Sequence, residues 1–94
     1  MTNISKLCSW YARQCVDEWQ EEFGIKISTL DNPGWSLKVD LERTNLSGKP
    51  FKEIKSDVSD TDWFVARKNG AVFEAFGGPL NLDEMIGVFV TWAI

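Results

Sequence analysis

Ninety-four residues, 44% of them hydrophobic and 13% aromatic, make one folded domain spanning 1–94 rather than a disordered chain. A net charge of -4 and a pI near 4.7 weigh against nucleic acid or an anionic membrane as direct partner, and favour a basic partner or plain solubility. No apolar run approaches the ~20 residues of a spanning helix. Met1-Thr2-Asn3 opens no basic-then-apolar leader, so the expected compartment is the cytoplasm.

The first helix is predicted from about residue 4 to 23. Ile4, Leu7, Cys8, Tyr11, Cys15, Trp19 and Phe23 recur at helical spacing and form one apolar stripe. Asn3 or Ser5 caps its start and Gly24 ends it. Trp10 lies off the stripe, on a flank with Gln14, Asp17 and Glu21. Cys8 and Cys15 are seven apart, so their Cα atoms are about 10 Å apart on a helix, too far for a disulfide. They read as small core hydrophobes, and with no histidine and no third thiol they make no metal pair.

A strand is expected over about 25–30 and another over 35–42, each alternating apolar and polar. Between them Asp31-Asn32-Pro33-Gly34 reads as a type II turn, with Pro33 presetting φ and Gly34 taking the positive φ. Residues 43–50 form a loop, 51–55 weakly suggest a short strand, and 56–62 read as an acidic loop with Asp57, Asp60 and Asp62. Two further strands, about 63–68 and 71–76, flank Asn69-Gly70, a type I′ signal that would set Ala66 opposite Phe73 and Phe64 opposite Ala75. Gly77-Gly78-Pro79 breaks the last strand. Asn81 then caps a second helix to about 93, with Glu84 completing a capping box and Leu80 stapling Met85. Leu82, Met85, Ile86, Phe89 and Ala93 face inward.

The order of elements implies an α+β two-layer sandwich. An antiparallel four- to five-stranded meander has an N-terminal and a C-terminal helix on one face. The other face would display Trp63, Phe76, Arg67, Glu74, Lys38 and Asp40.

Catalytic chemistry is poorly supplied. Without histidine there is no Ser-His or Cys-His couple, no phosphate loop has the required spacing, and 57–62 lacks the Ca²⁺-loop pattern. The reading is of a non-enzyme without cofactor or metal.

Several pieces taken together carry a likeness: Leu7-x-x-Trp10-Tyr11-x-x-Gln14-Cys15, Asp17-x-Trp19, and above all Gly24-Ile25-x-Ile27-x-Thr29-Leu30-Asp31-Asn32-Pro33-Gly34-Trp35. Thr44, Asp62-Trp63 and Asn81-Leu82 follow in order. The chain resembles the immunity protein 53 family of bacterial polymorphic toxin systems over nearly its whole length. It departs from the family pattern at Trp19-Gln20-Glu21, where Trp-Glu-His is expected. The resemblance implies a small cytosolic protein that binds and blocks the C-terminal domain of the toxin made beside it. If that toxin is a nuclease it is basic, and an acidic inhibitor would be steered to its substrate groove.

The candidate contacts are Trp10, Asp17 and Glu21 on the first helix, Asp31, Asn32 and Trp35 at the hairpin tip, and Asp60, Asp62 and Trp63 before the fourth strand. Each has a plainer reading. Asp31 and Asn32 also suit a turn, Trp35 also suits the core, and Asp60 and Asp62 also suit a solvated loop. Two other functions stay open: a small-ligand domain on the uncovered sheet face, and a homodimer through Trp63 and Phe76 rather than a monomer.

Overall fold

A computed structural model describes all residues, 1–94. In chain order it contains α1 (Asn3–Gln14), α2 (Trp19–Glu22), β1 (Ile25–Leu30), β2 (Gly34–Asp40), β3 (Ile54–Ser59), β4 (Asp62–Asn69), β5 (Val72–Gly77) and α3 (Leu82–Ala93). The expected α+β arrangement holds: an N-terminal helix, an open five-stranded antiparallel sheet, and a C-terminal helix.

The predicted long first helix is two helices. Asp17 and Glu18 adopt left-handed backbone, with φ of 52° and 63°, and break it. The reason lies in two tryptophans. Trp10 and Trp19 are nine residues apart, about 180° around a continuous helix, so one unbroken helix cannot bury both. After the break both turn inward, and Trp10 is 3% exposed. Its ring meets Phe89 edge-on at 5.0 Å and Trp19 at 6.1 Å. Such pairs contribute about 0.5–1.5 kcal/mol beyond their area. The buried face of α1 is therefore Leu7 and Trp10, while Ile4, Cys8 and Tyr11 of the predicted stripe remain exposed. Cys8 is thus not a core residue, and Cys15 is half-buried. Thr2, rather than Asn3 or Ser5, caps α1 by accepting the Ser5 N–H.

The sheet order is β1-β2-β5-β4-β3, so it departs from a simple meander at one connection. β5 lies centrally and has no exposed residue, whereas the edge strands β1 and β3 are mostly exposed. The segment between β2 and β3 crosses the end of the sheet. It is anchored by buried Leu41 and Leu46, by Lys68 donating to the Ser47 and Lys49 carbonyls, and by the Trp92 indole donating to Pro50 O. Residues 56–59, expected as loop, belong to β3: Ile54, Ser56 and Lys55, Asp57 alternate across β4.

Both hairpin turns differ from expectation. Leu30 pairs with Gly34 around Asp31-Asn32-Pro33, and Gly34 does not take positive φ. Its glycine serves close approach instead, because a Cβ there would lie 2.2 Å from the Gly77 carbonyl oxygen on β5. At the other hairpin Asn69 pairs with Val72, leaving Gly70-Ala71 as the loop. Positive φ at Gly70 alone fits a type II′ turn rather than I′. The register moves by two residues, which preserves the faces: Phe64, Ala66, Phe73 and Ala75 still point to the core.

α3 packs directly on β2, β4 and β5 through Met85, Ile86, Phe89 and Val90. α1 packs mainly on α3 instead of on the strands. Asn3 fits against Gly87, where a Cβ would come within 2.8 Å of its amide nitrogen. The other sheet face stays open. Trp63, Phe76, Arg67, Glu74, Lys38 and Asp40 share it, as the alternation predicts.

Candidate partner-binding site

The β1–β2 turn, the β3–β4 turn and the start of α3 all lie at one end of the sheet, because antiparallel strands alternate direction. Asn81 holds this end together. Its Oδ1 accepts the Trp63 N–H at 3.3 Å, and its Nδ2 donates to Asp62 Oδ1 at 3.0 Å and Glu84 Oε1 at 2.9 Å. Asn81 occupies the N-cap position, but its side chain does not cap α3, so the expected capping box is replaced by a cross-link to β4. The Leu80 staple does not form either: Leu80 is 87% exposed. Gly78 permits the link, since a Cβ there would sit 2.7 Å from the Thr61 carbonyl oxygen and 2.8 Å from Asn81 Oδ1.

Beside this clamp is a cleft of about 540 Å³. Asn32 reaches it from the β1–β2 turn, Lys55 and Asp57 from β3, Asp60 from the β3–β4 turn, and Trp63 from β4. Trp63 is half-buried, while Asn32, Asp57 and Asp60 are exposed. Asp31 flanks Asn32 in the turn, and Asp62 adjoins Trp63 with one carboxylate oxygen engaged by Asn81. The arrangement presents an aromatic surrounded by acids and amides with one lysine among them. It suits a cationic protein surface rather than an anion.

The nine sequence-predicted residues therefore separate into groups. Asn32, Asp60 and Trp63 share the cleft, with Asp31 and Asp62 next to it. Trp35 is half-buried, and its indole donates to Pro79 O at 2.9 Å, so it fixes the segment before α3. Trp10 was placed on an exposed flank by the stripe argument. It is instead packed against Phe89 and Trp19, with an indole N–H that is buried and lacks an acceptor. Asp17 and Glu21 are exposed, but lie at the opposite end of β2. There the Asp40 carboxylate accepts the Gly24 N–H, the Glu42 carbonyl accepts the Trp19 indole, and Arg43 donates to Asp17 O. Seven residues of β2 set the two ends about 20 Å apart.

Asn81, Lys55 and Asp57 were missed as members of the site. The alternation of Ile54, Ser56 and Val58 with Lys55, Asp57 and Ser59 is the signal that could have placed the last two on an edge strand. Farther along the open face, Lys38 and Arg67 approach the Phe76 ring at 6.0 and 5.7 Å, and Arg67 pairs with Glu74 at 3.1 Å. Just past the end of α1, the Cys15 side chain raises the Tyr11 hydroxyl above its ordinary pKa of 10.0, by hydrogen bonding first and then by charge. No group of three His, Cys, Asp or Glu side chains is arranged to hold a metal ion, and no helix is long and apolar enough to cross a membrane.

The chain belongs to the immunity protein 53 family, whose profile matches residues 4–93. No curated protein and no solved structure matches it. Membership implies an immunity protein, with a toxin as its partner in general and a role that is not enzymatic.

Proposed function

We propose that this family member neutralises its cognate toxin in the cytoplasm by covering the toxin's active site or substrate groove with the acidic end of its sheet. Trp63 is the anchor. Asn32, Asp60 and Asp62 form the polar surround, with Asp31 at its outer rim. The observation that carries the reading is the convergence of two turns on one half-buried tryptophan, whose backbone N–H is held by the buried Asn81 at the start of α3. Aromatic anchors ringed by polar groups dominate binding energy at interfaces. The surrounding carboxylates favour a basic target such as a nuclease domain, and would speed encounter with it.

Asp17 and Glu21 lie outside this surface, and Trp10 and Trp35 support the fold behind it. The test is co-expression with the toxin domain encoded beside this chain. Wild type restores growth and is captured with the toxin. Trp63→Ala and Asp60→Lys fold but fail to protect. Protection by both variants equal to wild type would remove the acidic end from the interface.

A further inference from the structure

The two sheet edges are treated differently. β3 carries a register shift between Asp57 and Ser59, a device that discourages a further strand. β1 is regular over all six residues, contains no proline, and has Lys26 as its one charge. The Asp40 N–H bonds the Gly24 carbonyl at 3.0 Å, which sets the alternation of the ladder. Residues 24, 26, 28 and 30 point their backbone groups at β2, so Ile25, Ile27 and Thr29 point theirs outward, unpaired.

The helix layer also leaves apolar surface exposed above this edge. Ile4, Cys8 and Tyr11 form an apolar face of α1 that the chain leaves uncovered, with Ile4 50% exposed. A groove of about 340 Å³ runs between Cys8, Tyr11 and Leu7 above and Gly24 and Ile25 below. Ile27 faces the same side and is 41% exposed. The geometry fits a layer that lacks one strand under α1.

We infer that β1 pairs antiparallel with β1 of a second copy, about a twofold axis through Ile27, giving a continuous ten-stranded sheet. This register matches every outward backbone group: Ile25 meets Thr29 of the second copy, and Ile27 meets its own counterpart. The twofold keeps the helix layers on one side, so the second copy delivers its Ile25, Ile27 and Thr29 beneath the uncovered face of α1. Charge agrees. Lys26 falls opposite Ser28 rather than its own copy. Three pairs farther, Asp31 of one chain comes beside Phe23 of the other, where the Arg43 guanidinium stands 5.8 Å over the ring. Asn32, Asp60, Asp62 and Trp63 stay clear of the seam, so the dimer takes only the rim residue Asp31 from each acidic end and leaves the anchor and its surround able to bind.

Sedimentation velocity of the purified chain tests this. Wild type is a dimer at roughly 100 µM, an association well within reach of such an interface. Ile27→Pro removes an N–H that the monomer's own ladder does not use, and Ile27→Lys sets like charges on the axis. Each weakens dimerisation at least about tenfold while the far-UV circular dichroism is unchanged. Should the proline variant lose its fold, the lysine variant decides alone. A monomeric wild type at that concentration overturns the inference, as does a dimer that Ile27→Lys leaves intact. A monomer whose Ile27→Lys variant loses toxin binding also overturns it, and gives the edge to a strand of the toxin. Failure of the acidic-end reading would be separate, since Trp63→Ala leaves the dimer unchanged.

Discussion

Both ends of the sheet set tryptophan beside acidic residues, and they use it in opposite ways. At the α2 end, Asp17, Glu18, Glu21 and Glu22 surround a buried Trp19, whose indole is tied to Glu42 O at 2.7 Å. At the acidic end, Asp60 and Asp62 flank Trp63, whose backbone is clamped while its ring remains half-exposed beside a cleft. Proximity of acid and aromatic in the sequence does not distinguish these cases. What does is whether another element needs the ring. α3 supplies Phe89, β2 supplies Val39 and the segment after β2 supplies Leu41 to the core at the first end, and the turns at the second end supply polar side chains instead.

Single substitutions separate the two ends by the size and kind of their effect. The largest effect belongs to Trp19→Ala, which empties the α2 end of the core and costs about 3–5 kcal/mol of stability by urea denaturation. Gly34→Ala comes next. Its methyl group meets the Gly77 carbonyl within the β2–β5 pair, and forcing the strands apart costs about 1–3 kcal/mol in the same assay. Asn81→Ala frees the Trp63 N–H and releases Asp62. It costs about 1–2 kcal/mol of stability, and it also lowers toxin affinity because the anchor is no longer held. Smallest of all is Glu21→Ala, an exposed change at the far end, which stays within about 0.5 kcal/mol and leaves toxin binding intact. A large loss of toxin affinity in that last variant would erase the distinction between the two ends.

The layer order, the sheet's two faces and α3 were legible in the sequence because they rest on simple periodicity: alternation for strands, three-and-four spacing for the helix. Faces survive a register error of two residues, which is why Phe64, Ala66, Phe73 and Ala75 were placed correctly around a wrongly located turn. Gly34 was misread because a glycine next to proline suggests a turn, while its real constraint is the carbonyl of a strand far away in sequence. Trp10 was misread for a related reason. The stripe that defined its flank assumed one helix through Phe23, and the left-handed Asp17-Glu18 break carries no glycine to announce it. Within the site, Asn32, Asp60 and Trp63 could each be singled out, but the pairing of β2 with β5 decides that they meet. No local pattern encodes that pairing.

Calorimetric titration of the cognate toxin domain with wild type and with Trp63→Ala decides whether Trp63 anchors the complex. Wild type saturates at one chain per toxin domain, and the variant, still folded by circular dichroism, loses at least about 2 kcal/mol of binding free energy, some thirtyfold in Kd. An unchanged Kd for Trp63→Ala would contradict the account and place the toxin elsewhere on the molecule.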